Sequence, residues 1–465
     1  MPSKLTHAVT LLSLIAAIHG SAQAALFAVD PGPYSPQIGN FAQWYQDTHG
    51  RTLDLCLGKA LSSRVPSTPG VPSYMCTLAV APGVFDDNQP MVFPTNFPDE
   101  AFWFLADAAI PTAGATTLNL KYTAALEAAF GGGDPAPNDQ ISFARIRIRM
   151  NAAPGVYTIT HPYGVEVFTV DPPVPNGNGN GNGGANGIKA INMTRDIGIT
   201  SPGVFTGALG GDVGPFLRSV NGPYTETDPT TGIASQYIGD PNLTEQVTGS
   251  PFGTNFVRVQ GPNGLDVRTD VFGITGKLST VVRPTPVVVP RADYTRKNGG
   301  PGTTGVQAQE DVFALAPPPP GTAQYADTSA ATVPMTEGTA TGAWYGQSTA
   351  NPSPPANVQV TADNHLAIAT STPTTVPHAL TDLVKISTAT YSLSNGQITV
   401  AASSSDETGN VTLTASGSSG GAIGALSSTG TVRTLTTNIS PIPPAKVTVT
   451  SSNGGSDTEE VVIVP

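Results

Sequence analysis

The chain carries little charge for its length. Of 465 residues only 12% are Asp, Glu, Lys or Arg, against roughly 25% in an ordinary soluble domain. Coiled coils and helical bundles draw their surfaces from such residues, so that class is excluded. Positive charge is the scarcer sign, with 21 Lys and Arg against 33 Asp and Glu for a formal net charge of −12. A sequence-independent nucleic-acid binder needs a basic face to displace counterions, so no nucleic-acid partner is expected. Cysteine, tryptophan and histidine number 2, 3 and 6, which leaves little material for a Cys/His metal centre. Apolar runs long enough to span a bilayer are missing after the first two dozen residues, so no transmembrane segment is expected in the mature chain. In place of all these stand 51 glycines and 44 prolines, with 39% hydrophobic residues. That is too apolar for a disordered chain. The composition predicts an all-β, turn-rich, multi-domain protein, of about three domains at ~150 residues each.

Residues 1–24 read as a secretory signal peptide. Lys4 supplies the positive start, Ala8 to Ile18 an apolar run, and Ala22-Gln23-Ala24 the small-x-small cleavage site. Eleven residues, interrupted only by Thr10 and Ser13, at 1.5 Å each fall well short of a hydrocarbon core of ~30 Å. The expected location is therefore secreted, extracellular or cell-surface. In an oxidising compartment the two cysteines, Cys56 and Cys76, are expected to form a disulfide.

Residues 25–171 predict a first β-rich domain. Trp44–Gln46, the turn Asp47-Thr48-His49-Gly50 and Arg51–Leu57 read as one hairpin; Val156–Thr160, His161-Pro162-Tyr163-Gly164 and Val165–Val170 read as another. Phe143–Met150 alternates, with Ala144, Ile146, Ile148 and Met150 on one face and Phe143, Arg145, Arg147 and Arg149 on the other. Only Glu100–Ala109 and Ala124–Phe130 have a helical look. Residues 172–187, with prolines and then an Asn-Gly run, read as a linker or a long loop. A second β-rich region over 188–282 and a short linker at 283–286, Arg-Pro-Thr-Pro, follow.

The C-terminal part of the chain, from Val287 onward, contains an internal repeat. Pro354-Pro355-Ala356-Asn357-Val358-Gln359-Val360-Thr361 returns as Pro443-Pro444-Ala445-Lys446-Val447-Thr448-Val449-Thr450, and Val287–Tyr294 returns as Val384–Tyr391. A unit of roughly 90–100 residues rich in Val/Thr alternation fits one β-sandwich, which divides the end of the chain into modules 287–383 and 384–465. On the Pro-Pro-Ala-x-Val-x-Val-Thr ending and on Ser403-Ser404-Ser405-Asp406, these modules resemble bacterial immunoglobulin-like domains of exported surface proteins. The resemblance implies spacers, adhesive units or enzyme appendages, and no particular chemistry. The N-terminal part resembles uncharacterised secreted bacterial proteins, through Trp44-Tyr45-Gln46-Asp47, Gly50, Leu53-Asp54-Leu55-Cys56 and His161-Pro162-Tyr163-Gly164-Val165.

Catalytic residues do not emerge. Gly417-Ser418-Ser419-Gly420-Gly421 satisfies Gly-x-Ser-x-Gly, but it lies in a Ser/Gly-rich loop with no histidine after it. The histidines of the mature chain, His49, His161, His365 and His378, have no metal-ligand spacing. No cofactor is expected. Calcium, a hard cation taking loop carboxylates and carbonyls, has candidate ligands in Asp86-Asp87-Asn88, Asp99-Glu100, and Asp212 or Asp240, and ordinary turn aspartates account for the same residues. Trp44, Tyr45 and Trp103 lie beside acids and could form a carbohydrate platform; large aromatics are also the usual stuff of a core. Arg145, Arg147 and Arg149 offer an anion contact, or else a charged strand face that discourages edge pairing. The expected function is a non-enzymatic adhesive or structural protein. Its partners would be cell-surface or matrix components, polysaccharide among them. The alternative is a carbohydrate-binding protein or polysaccharide-active enzyme with its site in the N-terminal β domain.

Overall fold

The computed structural model describes residues 25–111, 118–172, 190–297, 307–327, 332–338, 342–348, 354–408, 410–427 and 430–465. The expected signal peptide and almost all of the 172–187 segment lie outside the described residues. Nearly all the regular structure of the described chain is strand, as its turn-rich composition predicts.

The largest sheet has seven antiparallel strands. From edge to edge they are Arg218–Ser219, Glu245–Thr248, Val271–Thr275, Glu100–Ile110, Leu120–Phe130, Gln140–Met150 and Ile191–Ile197. A six-stranded sheet begins with Leu26–Val29, Trp44–Asp47 and Thr52–Asp54, and a four-stranded one contains the hairpin Gly155–His161 and Gly164–Val170. All three contribute to one core that includes Tyr45, Trp103, Tyr122, Ile146, Phe216 and Val259. Residues 25–171 and 188–282, which the sequence takes apart, thus share a sheet and a core. The Asn-Gly run falls between two edge strands of different sheets, Gly164–Val170 and Ile191–Ile197. The strands on either side of this composition break belong to one continuous core.

The two helical-looking stretches are the central strands of the large sheet. Helix propensity separates ordinary residues by less than about 1 kcal/mol each. Here it is outweighed by ladders on both sides and by burial of Trp103, Phe104 and Leu126. Fully buried Ala106, Ala124 and Ala144 keep this part of the sheet thin enough for the aromatic layer to close over it. Gln140–Met150 keeps the expected alternation, and Ala144, Ile146, Ile148 and Met150 all belong to the core.

The loop-rich stretch after Asp54 has no long strand before Glu100. It is fastened by the Cys56–Cys76 disulfide, packed with Ala60, Met75 and Tyr237. Arg64 adds ion pairs to Glu226 at 2.9 Å and Asp240 at 3.1 Å, and lies 3.7 Å over the Tyr224 ring.

The C-terminal part forms two sandwiches with matching strand order. In the first, one sheet runs Ala343–Gln347, Gln307–Leu315, Val288–Lys297 and Thr381–Asp382, with Thr336–Glu337 added at the outer edge. The other runs Thr332–Pro334, Thr322–Ala326, Asn357–Asp363 and Thr374–Ala379. In the second, the corresponding sheets are Val432–Asn438, Gln397–Ser404, Val384–Ser392, Val462–Val464, and Ala422–Leu426, Leu413–Gly417, Lys446–Ser451, Ser456–Glu460. In each the last strand pairs in parallel with the first. The repeated valines Val358, Val360, Val447 and Val449 are all fully buried, and each sandwich has its own core, with Val287 to Leu380 in one and Val384 to Val449 in the other.

The sandwiches are joined directly. Arg296 N–H donates to Ser405 O at 2.9 Å, and Glu407 N–H donates to Arg296 O at 2.8 Å. Tyr294 Oη donates to Asp406 Oδ2 at 3.1 Å, while Asn453 Nδ2 donates to Tyr294 Oη at 2.8 Å. The Ser403–Asp406 phrase is therefore part of a joint.

Candidate functional site

The residues that the sequence offers as a carbohydrate platform are core residues. Trp103 and Tyr45 are fully buried and meet edge to face, with ring centroids 4.8 Å apart. Trp103 Nε1 donates to Ala42 O at 3.1 Å, and Tyr45 Oη donates to Phe205 O at 2.7 Å. Trp44 is only 4% exposed and has the Arg283 guanidinium 3.7 Å over its ring. A sugar needs an open ring face, so the platform reading is corrected. Each ring is drawn inward by the apolar area it removes from water.

The arginine stripe is also redirected. Its strand, Gln140–Met150, is covered by Ile191–Ile197 and is not a sheet edge. Arg145 forks onto Asp196 (Nε to Oδ1, 2.7 Å; Nη2 to Oδ2, 2.9 Å) and reaches Glu127 Oε1 at 3.0 Å. Arg147 donates to Thr194 Oγ1 and Arg149 to Asn192 Oδ1 across the ladder. With its donors committed to these acids, Arg145 has no fork left for an external anion. Glu127, missed in the sequence, is the unusual group on this face. Burial, helped by nearby Glu100 and opposed by Arg145, pushes its carboxyl up to about 8.

The other sequence candidates take structural places. Gly417 ends a strand, and Ala422–Leu426 is a strand too, so the Gly-x-Ser-x-Gly match is a hairpin turn. Asp240 is buried and accepts from Ser62 Oγ at 2.5 Å, Asn242 N–H at 2.9 Å and Arg64. Asp212 pairs with Arg195. His161 is fully buried, its Nδ1 receiving the Tyr163 N–H at 3.3 Å.

Two cavities lie where the N-terminal core meets the first sandwich. This boundary is not the free linker expected at 283–286. Arg283–Pro284 pairs in parallel with Ser371–Thr372, Gln46 Nε2 donates to Pro284 O at 3.2 Å, and Asn364 Nδ2 donates to His49 O at 3.0 Å. Gly50, at φ +82°, ends the Asp47–Gly50 turn, and a Cβ there would come 3.2 Å from Pro286. The first cavity, about 400 Å³, is apolar and lined by Leu26, Phe27, His49, Val287 and Leu315 among others. Burial pushes the His49 imidazole down, with Asp47 opposing.

The second cavity, about 490 Å³, is of different character. Arg51, Arg218 and Lys277 line it against one carboxylate, Asp54, and Ile368 closes it from the first sandwich. Strand Thr52–Asp54 pairs with Lys277–Leu278, which sets Asp54 opposite Lys277. Arg51 and Arg218 make no ion pair and no side-chain hydrogen bond among the described residues. The acid whose charge bears on both, Asp47, is buried, and both its oxygens are taken by the backbone N–H groups of His49, Arg51 and Phe216. Burial pushes the Arg51 guanidinium down to about 10, and repulsion from Arg218 adds to the effect while Asp47 opposes it. Burial likewise lowers Arg218. Asp54 Oδ1 is buried without a hydrogen-bond partner, and burial raises its carboxyl against the pull of Ser279 and Lys277.

No protein-family model matches the chain, and no curated protein matches it. Among solved structures, a tetra-tandem repeat from the extending region of a large adhesion protein is similar over 69% of this chain and 69% of its own, at 13% identity and a TM-score of 0.15. At that score the likeness carries no argument about fold or role.

Proposed function

We propose that the chain is an exported, non-enzymatic extracellular or cell-surface protein with a structural or adhesive role, its two C-terminal sandwiches serving as immunoglobulin-like spacers. The observation that carries this reading is a repeated sandwich whose neighbours are hydrogen-bonded directly to one another and to the N-terminal core. Direct joints suit a protein that holds a domain at a fixed position, since they restrict the relative motion that is the default between domains. The strand order of each sandwich supports the immunoglobulin-like reading, with the first, second and fifth main strands in one sheet and the third, sixth and seventh in the other. The Cys56–Cys76 disulfide fits an oxidising compartment. No helix among the described residues is long and apolar enough to cross a membrane.

Fractionation of the producing cells tests the reading. The protein is expected in the medium or on intact cells, open to added protease, with a mature N-terminus at Ala25. Retention inside the cell with residues 1–24 intact would refute it.

A further inference from the structure

We propose that the cavity between the N-terminal core and the first sandwich, lined by Arg51, Arg218, Lys277 and Asp54, is a binding site for an acidic saccharide unit of the uronate type. The argument begins with charge. On a chain of net charge −12, three cationic side chains converge on one cavity against a single carboxylate. Two of them are guanidinium groups, with Arg218 near enough to lower the proton affinity of Arg51, yet neither has a carboxylate in ion-pair contact among the described residues. Elsewhere in this protein the arginines that gather acids do so closely: Arg195 and Arg64 each pair with two carboxylates and Arg145 with three. Leaving two half-buried guanidinium groups beside each other without an anion is costly, and an incoming carboxylate relieves that cost. The planar guanidinium fork matches a carboxylate in two parallel hydrogen bonds.

A bare anion does not use the rest of the site. Asp54 presents a buried oxygen with no partner, an acceptor for a sugar hydroxyl. Gln236 and Ser279 add an amide and a hydroxyl to the lining, and Ile368 an apolar patch of the kind that C–H faces of a sugar ring cover. A volume of about 490 Å³ exceeds what one carboxylate fills and accommodates a sugar ring. Because Ile368 belongs to the first sandwich and the cations to the N-terminal core, the bound sugar also touches both sides of the boundary. The inference goes beyond the proposed surface role and does not rest on it: failure of the fractionation test leaves it standing.

Calorimetric titration of the full chain with sodium glucuronate, glucose and sodium sulfate tests it. The wild type is expected to bind one glucuronate per chain, with glucose at least tenfold weaker and affinity falling as salt is added. Arg51→Gln combined with Arg218→Gln is expected to abolish glucuronate binding, with retention of fold checked by thermal melting. Should that variant not fold, Lys277→Gln is the substitute, with binding at least threefold weaker. Asp54→Ala separates the saccharide from the anion: it removes the acceptor and one negative charge, so glucuronate is expected to bind severalfold weaker and sulfate at least as tightly as before. The proposal is overturned by no saturable glucuronate binding, by equal affinity for glucose, or by variants that bind as the wild type does. Sulfate binding as tightly as glucuronate, with glucuronate no weaker in Asp54→Ala, overturns the saccharide assignment.

Discussion

Glu127 is an acid whose environment works against its ionisation. It is 1% exposed beside Glu100, and only Arg145 draws it toward ionisation. Its carboxyl titrates near 8 in the fold against an ordinary value of 4.5. A group whose pKa is raised by folding favours the folded state most below its unfolded pKa, and that contribution is lost as pH rises through the folded value. Glu127→Gln is therefore expected to melt at the wild-type temperature near pH 4.5 and above it at pH 8; a constant difference across that range would contradict the assignment. Arg145→Met, which leaves Glu127 and Asp196 without their shared donor, is expected to cost about 1–3 kcal/mol in denaturant titration. Trp103→Ala removes a fully buried ring at a cost of about 3–5 kcal/mol, and a folded remnant should show no change in sugar retention. What the sequence displays at this scale is alternation: the inward face of Phe143–Met150 reads directly. The Arg51–Arg218 pair does not, because the two residues lie far apart in the chain and only the sheet topology brings them together. The paired aromatics mislead for a related reason, since a tryptophan next to an acid looks the same in a string whether its ring faces water or the core.

Among elements, the joints matter most. Asp406 sits at the meeting of the two sandwiches, accepting from Tyr294 Oη, from Asn453 Nδ2 at 3.2 Å and from Thr408 Oγ1 at 2.5 Å. Asp382, at the same boundary, accepts from Gly455 N–H at 3.1 Å and from Ser404 Oγ. Asp406→Ala strands several of these donors, at about 1–3 kcal/mol each for those left buried. In scanning calorimetry the two sandwiches are expected to unfold in one transition in the wild type and in two in the variant. The repeat that defines these sandwiches is legible because Val358/Val360 and Val447/Val449 occupy one topological place and are buried alike. The central strands Glu100–Ile110 and Leu120–Phe130 are not, because alanine-rich segments take their conformation from neighbours the local sequence does not show. Several residues of the N-terminal phrases hold packing places: Tyr45 and His161 are buried, and Tyr163 Oη donates to Pro215 O at 3.0 Å.

For the whole molecule, stability and stiffness come from different devices. The disulfide closes the loop-rich stretch of the N-terminal core, between Cys56 and Cys76. Replacing both cysteines with serine is expected to cost about 3 kcal/mol in a chain-entropy account, read as a lower melting temperature of that core. The parallel pairing at Arg283–Pro284 and the Tyr294–Asp406–Asn453 contacts connect three cores in series. The central claim is that these joints hold the two sandwiches in one fixed relation. A spin-label distance measurement between Leu366→Cys, 81% exposed on the first sandwich, and Leu393→Cys, 68% exposed on the second, tests it most directly. One narrow distance distribution that broadens on Asp406→Ala is the expected result; a broad distribution in the otherwise wild-type chain would contradict the account.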